Sequence, residues 1–333
     1  MDNNVFIGSG EEHLSLFRNE LKGISYVSFP GFKPGYSRIL PQYIILLLKT
    51  PALLYHILRE HYRLKKIIRE YGINIVISDN RFGLWNRKIK TVYITHMPVI
   101  PFPKSFMFLE FIGVFLHRFI IKKYTFCFIP DLPGELNISG RLSHGKRVPG
   151  NVRYIGMLSR FSESGCPSPE PSEKLNQTTI ILSGPEPQRG ILKKKLTDIL
   201  KVKGNKIVVL EGRPEAKIEI VKSGNITIYN HLPTSEMKEI LMESKWIISR
   251  AGYSTIMELM SMNCSALLIP TPGQTEQEYL AGYLSEKGWF ATVSQRDLKA
   301  EIILLPNKPR WPDMLNSKSE ELLLEALEEL LNK

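Results

Sequence analysis

The sequence of 333 residues predicts an α/β protein with two doubly wound parallel sheets, and three observations support this. Short apolar runs alternate with longer segments of helical periodicity, as they do in consecutive βαβ units. The length suits two domains of ordinary size. A segment rich in Ser, Pro and Glu and lacking periodicity, Ser159–Asn176, separates the two halves.

Apolar runs of strand length occur in both halves. In the first half the predicted strands are Asn4–Ile7, Ser25–Phe29, Asn74–Ser78, Thr91–Thr95 and Phe126–Ile129. In the second half they are Thr178–Ser183, Ile207–Glu211, Ile226–Tyr229, Trp246–Ser249 and Ala266–Pro270, with helices at Ile191–Lys201, Thr234–Ser244, Ser254–Asn263 and Glu276–Lys287. We therefore expect one domain at residues 1–155, a linker at 156–176 and a second domain at 177–333.

The composition indicates a globular protein of a reducing compartment. With 43% hydrophobic and 23% charged residues, the chain can form packed cores. Cys127, Cys166 and Cys264 are too few and too far apart for a disulfide framework or a cysteine-based zinc site. Because residues 1–4 are polar and the apolar run after them is short, we expect no signal peptide and a cytoplasmic location.

The positive charge is concentrated in the first half. Residues 1–130 contain 18 Lys and Arg against 8 Asp and Glu, whereas the remainder is nearly balanced. Two stretches there, Arg38–Arg69 and Lys104–Lys123, are both apolar and basic, but their apolar runs are shorter than a membrane span. This pattern favours contact with an anionic membrane surface over nucleic acid, since no nucleic-acid-binding module is recognisable.

Two strand–turn–helix units in the second half predict a nucleotide-sugar site. The strand ending at Ser249 continues into Arg250-Ala251-Gly252, where glycine permits close approach and the next helix N-terminus suits a diphosphate. Glu258 follows within about one turn of that N-terminus, where a carboxylate can accept hydrogen bonds from ribose hydroxyls. The second strand ends in the turn Thr271–Gln277, whose amides and carboxylate suit sugar hydroxyls. Taken singly, the glycine could be structural and Glu258 a solvated helix residue.

The order strand–RAGY–helix–Glu–strand–PGQTEQ–helix resembles the C-terminal domain of the MurG-like glycosyltransferases of the family-28 type, which bind a UDP-sugar there. The resemblance covers most of residues 178–297 and implies the GT-B fold, two Rossmann-like domains facing a cleft. The resemblance also places the family's first loop at residues 183–189, where prolines replace the usual glycine-rich pattern. It places the base of the nucleotide near His231, although this histidine could equally cap a helix. The donor-binding residues expected on these grounds are Ser183, Gly184, Arg189, His231, Leu232, Arg250, Gly252, Ser254, Thr255, Glu258, Gln274, Thr275, Glu276 and Gln277.

The start of the chain departs from the family's pattern. The strand Asn4–Ile7 and the stretch after it look like the second strand of related proteins, so we expect the opening βα unit to be absent and the first domain to be incomplete. Three residues at strand–loop junctions are candidates for the general base: Asp79, His96 and, more weakly, His13. Each could instead serve a structural role, as a turn cap or a partner of backbone groups.

The resemblance implies transfer of N-acetylglucosamine or a similar hexose from a UDP-sugar to an unidentified lipid-linked or glycan acceptor. It implies inversion at the anomeric carbon without a metal or cofactor, and the donor region contains neither an Asp-x-Asp pair nor a His/Cys cluster. We expect the enzyme to act at the inner face of the membrane. Two alternatives remain open: a UDP-sugar 2-epimerase, and a non-catalytic subunit that binds a nucleotide sugar.

Overall fold

The structure is a computed structural model that describes most of the chain. The described residues are 4–11, 14, 17–18, 21–32, 48–99, 110–145, 148–161, 175–184, 186–201, 204–213, 219–299 and 310–332. His13 and parts of both basic stretches, residues 38–47 and 104–109, lie outside them.

The first half contains two parallel sheets. One pairs β1 (Phe6–Ser9) with β2 (Ser25–Ser28), and the other has the order β3-β4-β5-β6. The strands of the larger sheet are β3 (Ile75–Asp79), β4 (Lys90–Ile94), β5 (Phe126–Ile129) and β6 (Val152–Tyr154). This half also contains the α-helices α1 (Thr50–Tyr71) and α2 (Glu110–Ile121) and two short 3-10 helices at Gly134–Leu136 and Gly140–Leu142. All four residues of β5 are buried, as expected of a central strand covered on both faces.

The second half is built on one seven-stranded sheet with the order β13-β12-β11-β7-β8-β10-β9. All its pairs are parallel except that of the edge strand β9 with β10. The strands are β7 (Leu175–Ile181), β8 (Lys206–Leu210), β9 (Ile220–Ser223), β10 (Ile226–Tyr229), β11 (Ser244–Ser249), β12 (Leu267–Leu268) and β13 (Ala291–Thr292). The helices are α3 (Gln188–Leu200), α4 (Thr234–Glu243), α5 (Tyr253–Ser261) and α6 (Thr275–Glu286), and the chain ends with α7 (Leu315–Asn332).

The last helix crosses back to the first sheet. Ala326 and Leu330 of α7 share a buried cluster with Val92 of β4 and Phe126 of β5. The guanidinium of Arg153 in β6 binds both carboxylate oxygens of Glu329, at 2.6 and 2.7 Å. These contacts show that α7 packs against the first sheet. The sequence instead predicts residues 177–333, which include α7, as part of the second domain.

The junction of the two halves is itself packed. Leu132 and Ile138, which follow β5, belong to the same buried apolar cluster as Ile256 of α5 and Leu280 of α6. The hydroxyl of Tyr253, the first residue of α5, donates to the carbonyl of Pro130 at 2.7 Å. Hydrophobic burial thus fixes the carboxyl ends of β4 and β5 beside the helices of the second sheet.

No helix among the described residues combines the length and apolar character needed to cross a bilayer.

Candidate functional site

Three turns meet at the carboxyl edge of the second sheet. They follow β7, β11 and β12 and lead into α3, α5 and α6. Ligands of open parallel sheets bind at this edge, where free helix N–H groups and helix dipoles favour anions. A Cβ placed on Gly252 would lie 3.9 Å from Ser183 Oγ, so the first two turns face each other.

In the loop between β7 and α3, Gly184 has φ +93°, a conformation that favours glycine. Arg189, predicted to bind diphosphate, lies in the first turn of α3 and pairs with Glu186 at 2.9 Å between Nε and Oε1. Glu186 also accepts a hydrogen bond from the amide of Gly190 at 3.1 Å. A ligand phosphate would have to share this guanidinium with Glu186.

Arg250, predicted among the donor-binding residues, lies between β11 and α5. Its side chain is fully buried, and its guanidinium donates to three backbone carbonyl groups rather than pointing into open space. This favours a supporting role over direct contact with a donor. Gly252 and Thr255 remain at the mouth of the turn, where they are partly accessible, and Ser254 is exposed.

Glu258 lies on α5, as predicted, and its carboxylate is paired. Arg160 Nε lies 2.9 Å from Glu258 Oε1, and the Glu258 side chain is only 16% exposed. Burial raises the pKa of Glu258, and the Arg160 charge opposes this rise. Ser261 Oγ also donates to Ser159 Oγ at 2.7 Å, so the segment leaving the first sheet is bound directly to the candidate donor helix.

The predicted donor-binding residues around the start of α6 have different surroundings. Gln277 is buried and accepts the Thr271 amide at 2.9 Å through Oε1, which fixes the turn rather than facing a ligand. Gln274 is the last residue before α6 and Thr275 its first. Glu276 reaches across to the first half of the chain, where its Oε1 lies 2.9 Å from His96 Nε2.

Leu232 and His231 follow β10. The Leu232 side chain is buried in the apolar core, so only its backbone is available to contact the base of a nucleotide. His231 is half-buried, and its amide donates to Asn230 Oδ1 at 2.7 Å. Asn230 Oδ1 also accepts the Glu219 amide at 2.8 Å, which ties the turn to the edge strand.

The two described candidates for the general base lie at the ends of neighbouring strands. Asp79 ends β3, and His96 follows β4 by two residues. The His96 ring stacks on Tyr253 with centroids 4.6 Å apart and planes 10° from parallel. Burial raises the pKa of Asp79, and interaction with His96 lowers it. The structure therefore pairs His96 with Glu276 across the two halves, and Asp79 interacts with His96 electrostatically.

Comparison with known proteins finds a family match within the second half of the chain. The glycosyltransferase family 28 C-terminal domain matches residues 192–305. The UDP-N-acetylglucosamine--N-acetylmuramyl-(pentapeptide) pyrophosphoryl-undecaprenol N-acetylglucosamine transferase of Sulfurihydrogenibium sp. is 21% identical over 148 residues, 44% of this chain and 40% of that protein. Over this part of its length the chain is similar to MurG-like transferases of the family-28 type. The predicted relationship is confirmed.

Two further comparisons extend over more of the chain. An uncharacterized glycosyltransferase of Methanosarcina acetivorans is 24% identical over 246 residues, 70% of this chain and 63% of that protein. The crystal structure of the glycotransferase of kitacinnamycin superposes with a TM-score of 0.59 over 99% of this chain and 88% of that one, at 13% identity. This confirms the GT-B fold. The chain spans less than two thirds of both curated relatives, 40% and 63% of their lengths.

Two residues of the candidate site are not indicated by the sequence. The sequence places Arg160 only at the junction of the halves, and Tyr253 only within the RAGY turn. Each lies next to a candidate residue, Glu258 in one case and His96 in the other. A basic residue close to a domain junction is a usable sequence signal for Arg160. The stacking of Tyr253 on His96 has no such signal, because it depends on packing between the two halves.

Proposed function

We propose that the chain transfers a sugar from a UDP-sugar to a lipid-linked acceptor. The observation that carries the proposal is the meeting of three helix N-termini with Glu258 and Glu276 at one sheet edge, within a family-28 domain. UDP-N-acetylglucosamine is the proposed donor, because the relative from Sulfurihydrogenibium is a UDP-N-acetylglucosamine-dependent transferase acting on a pyrophosphoryl-undecaprenol compound.

The geometry suggests how the reaction would proceed. His96 accepts the proton of the acceptor hydroxyl, whose oxygen then bonds to the anomeric carbon. The bond from that carbon to the diphosphate oxygen breaks, and its electron pair leaves with UDP. The amides and dipoles at the N-termini of α3 and α5 would stabilise the charge that develops on the leaving diphosphate. Attack from the face opposite the diphosphate inverts the anomeric centre.

The same proposal places the first half at an anionic membrane surface. The exposed apolar side chains of α1 form one stripe and those of α2 another, and Lys and Arg residues flank both. His61 of α1 stacks on Trp85 at 3.9 Å, and Lys123, two residues after α2, lies over the same ring at 4.7 Å, so the end of α2 and the middle of α1 approach the same side chain. An apolar surface bordered by basic side chains suits the interface of an anionic bilayer, where a lipid-linked acceptor would be found.

The experiment that tests the donor site is calorimetry of UDP binding to wild type and to Glu258→Ala. We expect the substitution to weaken binding at least tenfold, about 1.4 kcal/mol, because ribose hydroxyls lose a charged acceptor. Glu243→Ala, at the end of α4, is a control for the loss of one carboxylate. Equal UDP affinity in wild type and Glu258→Ala would show that the donor site lies elsewhere.

Donor binding should also depend on pH through Glu258. Because burial raises its pKa above the ordinary value of 4.5, UDP affinity should begin to fall at a higher pH than that of an exposed glutamate as the solution is acidified. Arg160→Met removes the charge that opposes the rise, so the midpoint of this fall should move to still higher pH. Titrating UDP affinity against pH measures the shift. Arg141→Met, which removes an arginine paired with Glu110, should leave the midpoint in place, and an unmoved midpoint in Arg160→Met would refute the assignment.

A further inference from the structure

Arg250 is a buried cation whose guanidinium is hydrogen-bonded to the backbone of the candidate donor site. Its Nη2 donates to the carbonyl of Gln188 at 2.8 Å. Its Nη1 donates to the carbonyls of Ile269 and Pro270 at 3.3 and 3.2 Å. The side chain is fully buried, so these contacts are made away from bulk water.

These contacts come from two segments of the site, and neither is the segment that contains Arg250. Gln188 is the first residue of α3, and Ile269 and Pro270 follow β12 on the way to α6. Arg250 itself lies between β11 and α5. One guanidinium therefore links the start of α3 to the turns that lead into α5 and α6, and the N-termini of these helices are the groups that would contact a diphosphate.

The charge of Arg250 lacks a counter-ion in the part of the chain that the structure describes. None of the described carboxylates forms an ion pair with it, and burial lowers its pKa to about 10, so it stays charged at neutral pH. Arg250 Nε and Gln188 Oε1 are also buried without hydrogen-bond partners among the described residues. A buried cation without an anion is costly, and an anion bound at the adjoining turns would reduce that cost.

We propose that Arg250 is a positioning residue whose buried charge makes the site selective for phosphorylated ligands. It holds the three turns and attracts a diphosphate without touching it. The inference rests on the proposed nucleotide-sugar function and deepens it. Its consequence is specific: Arg250 should contribute to the binding of UDP and hardly at all to that of uridine, which has the same base and ribose but no phosphate.

The test compares UDP and uridine binding to the full chain by calorimetry, with uridine measured by displacement. Arg250→Met keeps an apolar side chain of similar length and removes the charge. We expect UDP affinity to fall about tenfold or more and uridine affinity to change little, because a charge in a poorly solvated site acts mainly on another charge. Arg250→Lys should retain most of the preference for UDP. Arg296→Met, which removes an exposed arginine from the same half, controls for net charge.

The outcomes separate this inference from the proposed function. Equal losses of UDP and uridine affinity in Arg250→Met would leave Arg250 with a structural role only and overturn the inference. So would unchanged UDP affinity. If Arg250→Met does not fold, the measurement on Arg250→Lys decides. This variant keeps the positive charge, so the loss of its preference for UDP over uridine would contradict the electrostatic role. Wild-type protein that binds neither ligand would instead overturn the proposed function, and this inference with it.

Discussion

Replacing His96 by glutamine is expected to lower the rate of sugar transfer by about 10²- to 10⁴-fold, the usual contribution of a general base. Glutamine can still donate a hydrogen bond to Glu276, but it cannot accept the proton of the acceptor hydroxyl. Because the base acts in the transition state, kcat should fall while UDP affinity stays nearly constant. The measurement is UDP release from UDP-N-acetylglucosamine, with a polyprenyl-diphosphate-linked sugar as acceptor.

Glu276 and Asp79 provide the controls for this assignment. If Nε2 of His96 donates to Glu276, the opposite ring nitrogen is free of a proton and can act as the base. Glu276→Gln should then cause a smaller loss than His96→Gln, since it weakens the orientation of the ring and leaves the base present. Asp79→Asn is the rival test: if it abolishes transfer while His96→Gln retains the wild-type rate, Asp79 is the base.

The sequence is a good guide to the strands of the sheets and a poor guide to their edges. It predicts Phe126–Ile129 as a strand with the bounds that β5 has, because these residues are apolar on both faces. It does not predict the edge strand β9 (Ile220–Ser223), since all four residues of that strand are exposed and carry no periodic signal. The return of α7 to the first sheet cannot be predicted either, because helical periodicity shows that a face is buried without showing against what.

The candidate site shows the same limit. The strand–turn–helix order brings Ser183, Gly252 and Glu258 into consideration because their positions follow from local sequence. The pairings that complete the site join residues far apart in the chain: His96 and Glu276 are 180 residues apart, and Arg160 comes from the segment after the first sheet. Local sequence likewise predicts Arg250 beside the ligand, whereas the carbonyls that surround it arise from different segments. Such contacts depend on packing and leave no periodic trace.

The second large effect is expected at the exposed face of α2. Phe111 and Phe115 are 76% and 65% exposed, although aromatic side chains of this size are usually covered in a soluble domain. They are four residues apart and so lie on one side of the helix, with Arg118 and Lys122 close by. Insertion of both rings at a bilayer interface would bury the apolar area, and the basic residues would meet anionic headgroups.

Phe111→Ser combined with Phe115→Ser should therefore weaken binding to vesicles of phosphatidylglycerol and phosphatidylcholine by about 100-fold, since burial of each ring contributes about 1.5 kcal/mol or more. Sedimentation with the vesicles measures the bound fraction. Leu324→Ser combined with Leu331→Ser is the matched control, because these α7 side chains are also 61% and 53% exposed and lie on a different helix. Binding should weaken with added salt and with purely zwitterionic lipid, because part of the attraction is electrostatic. If the α2 variant binds as tightly as wild type, the α2 face does not meet the membrane, and the exposed rings need another partner.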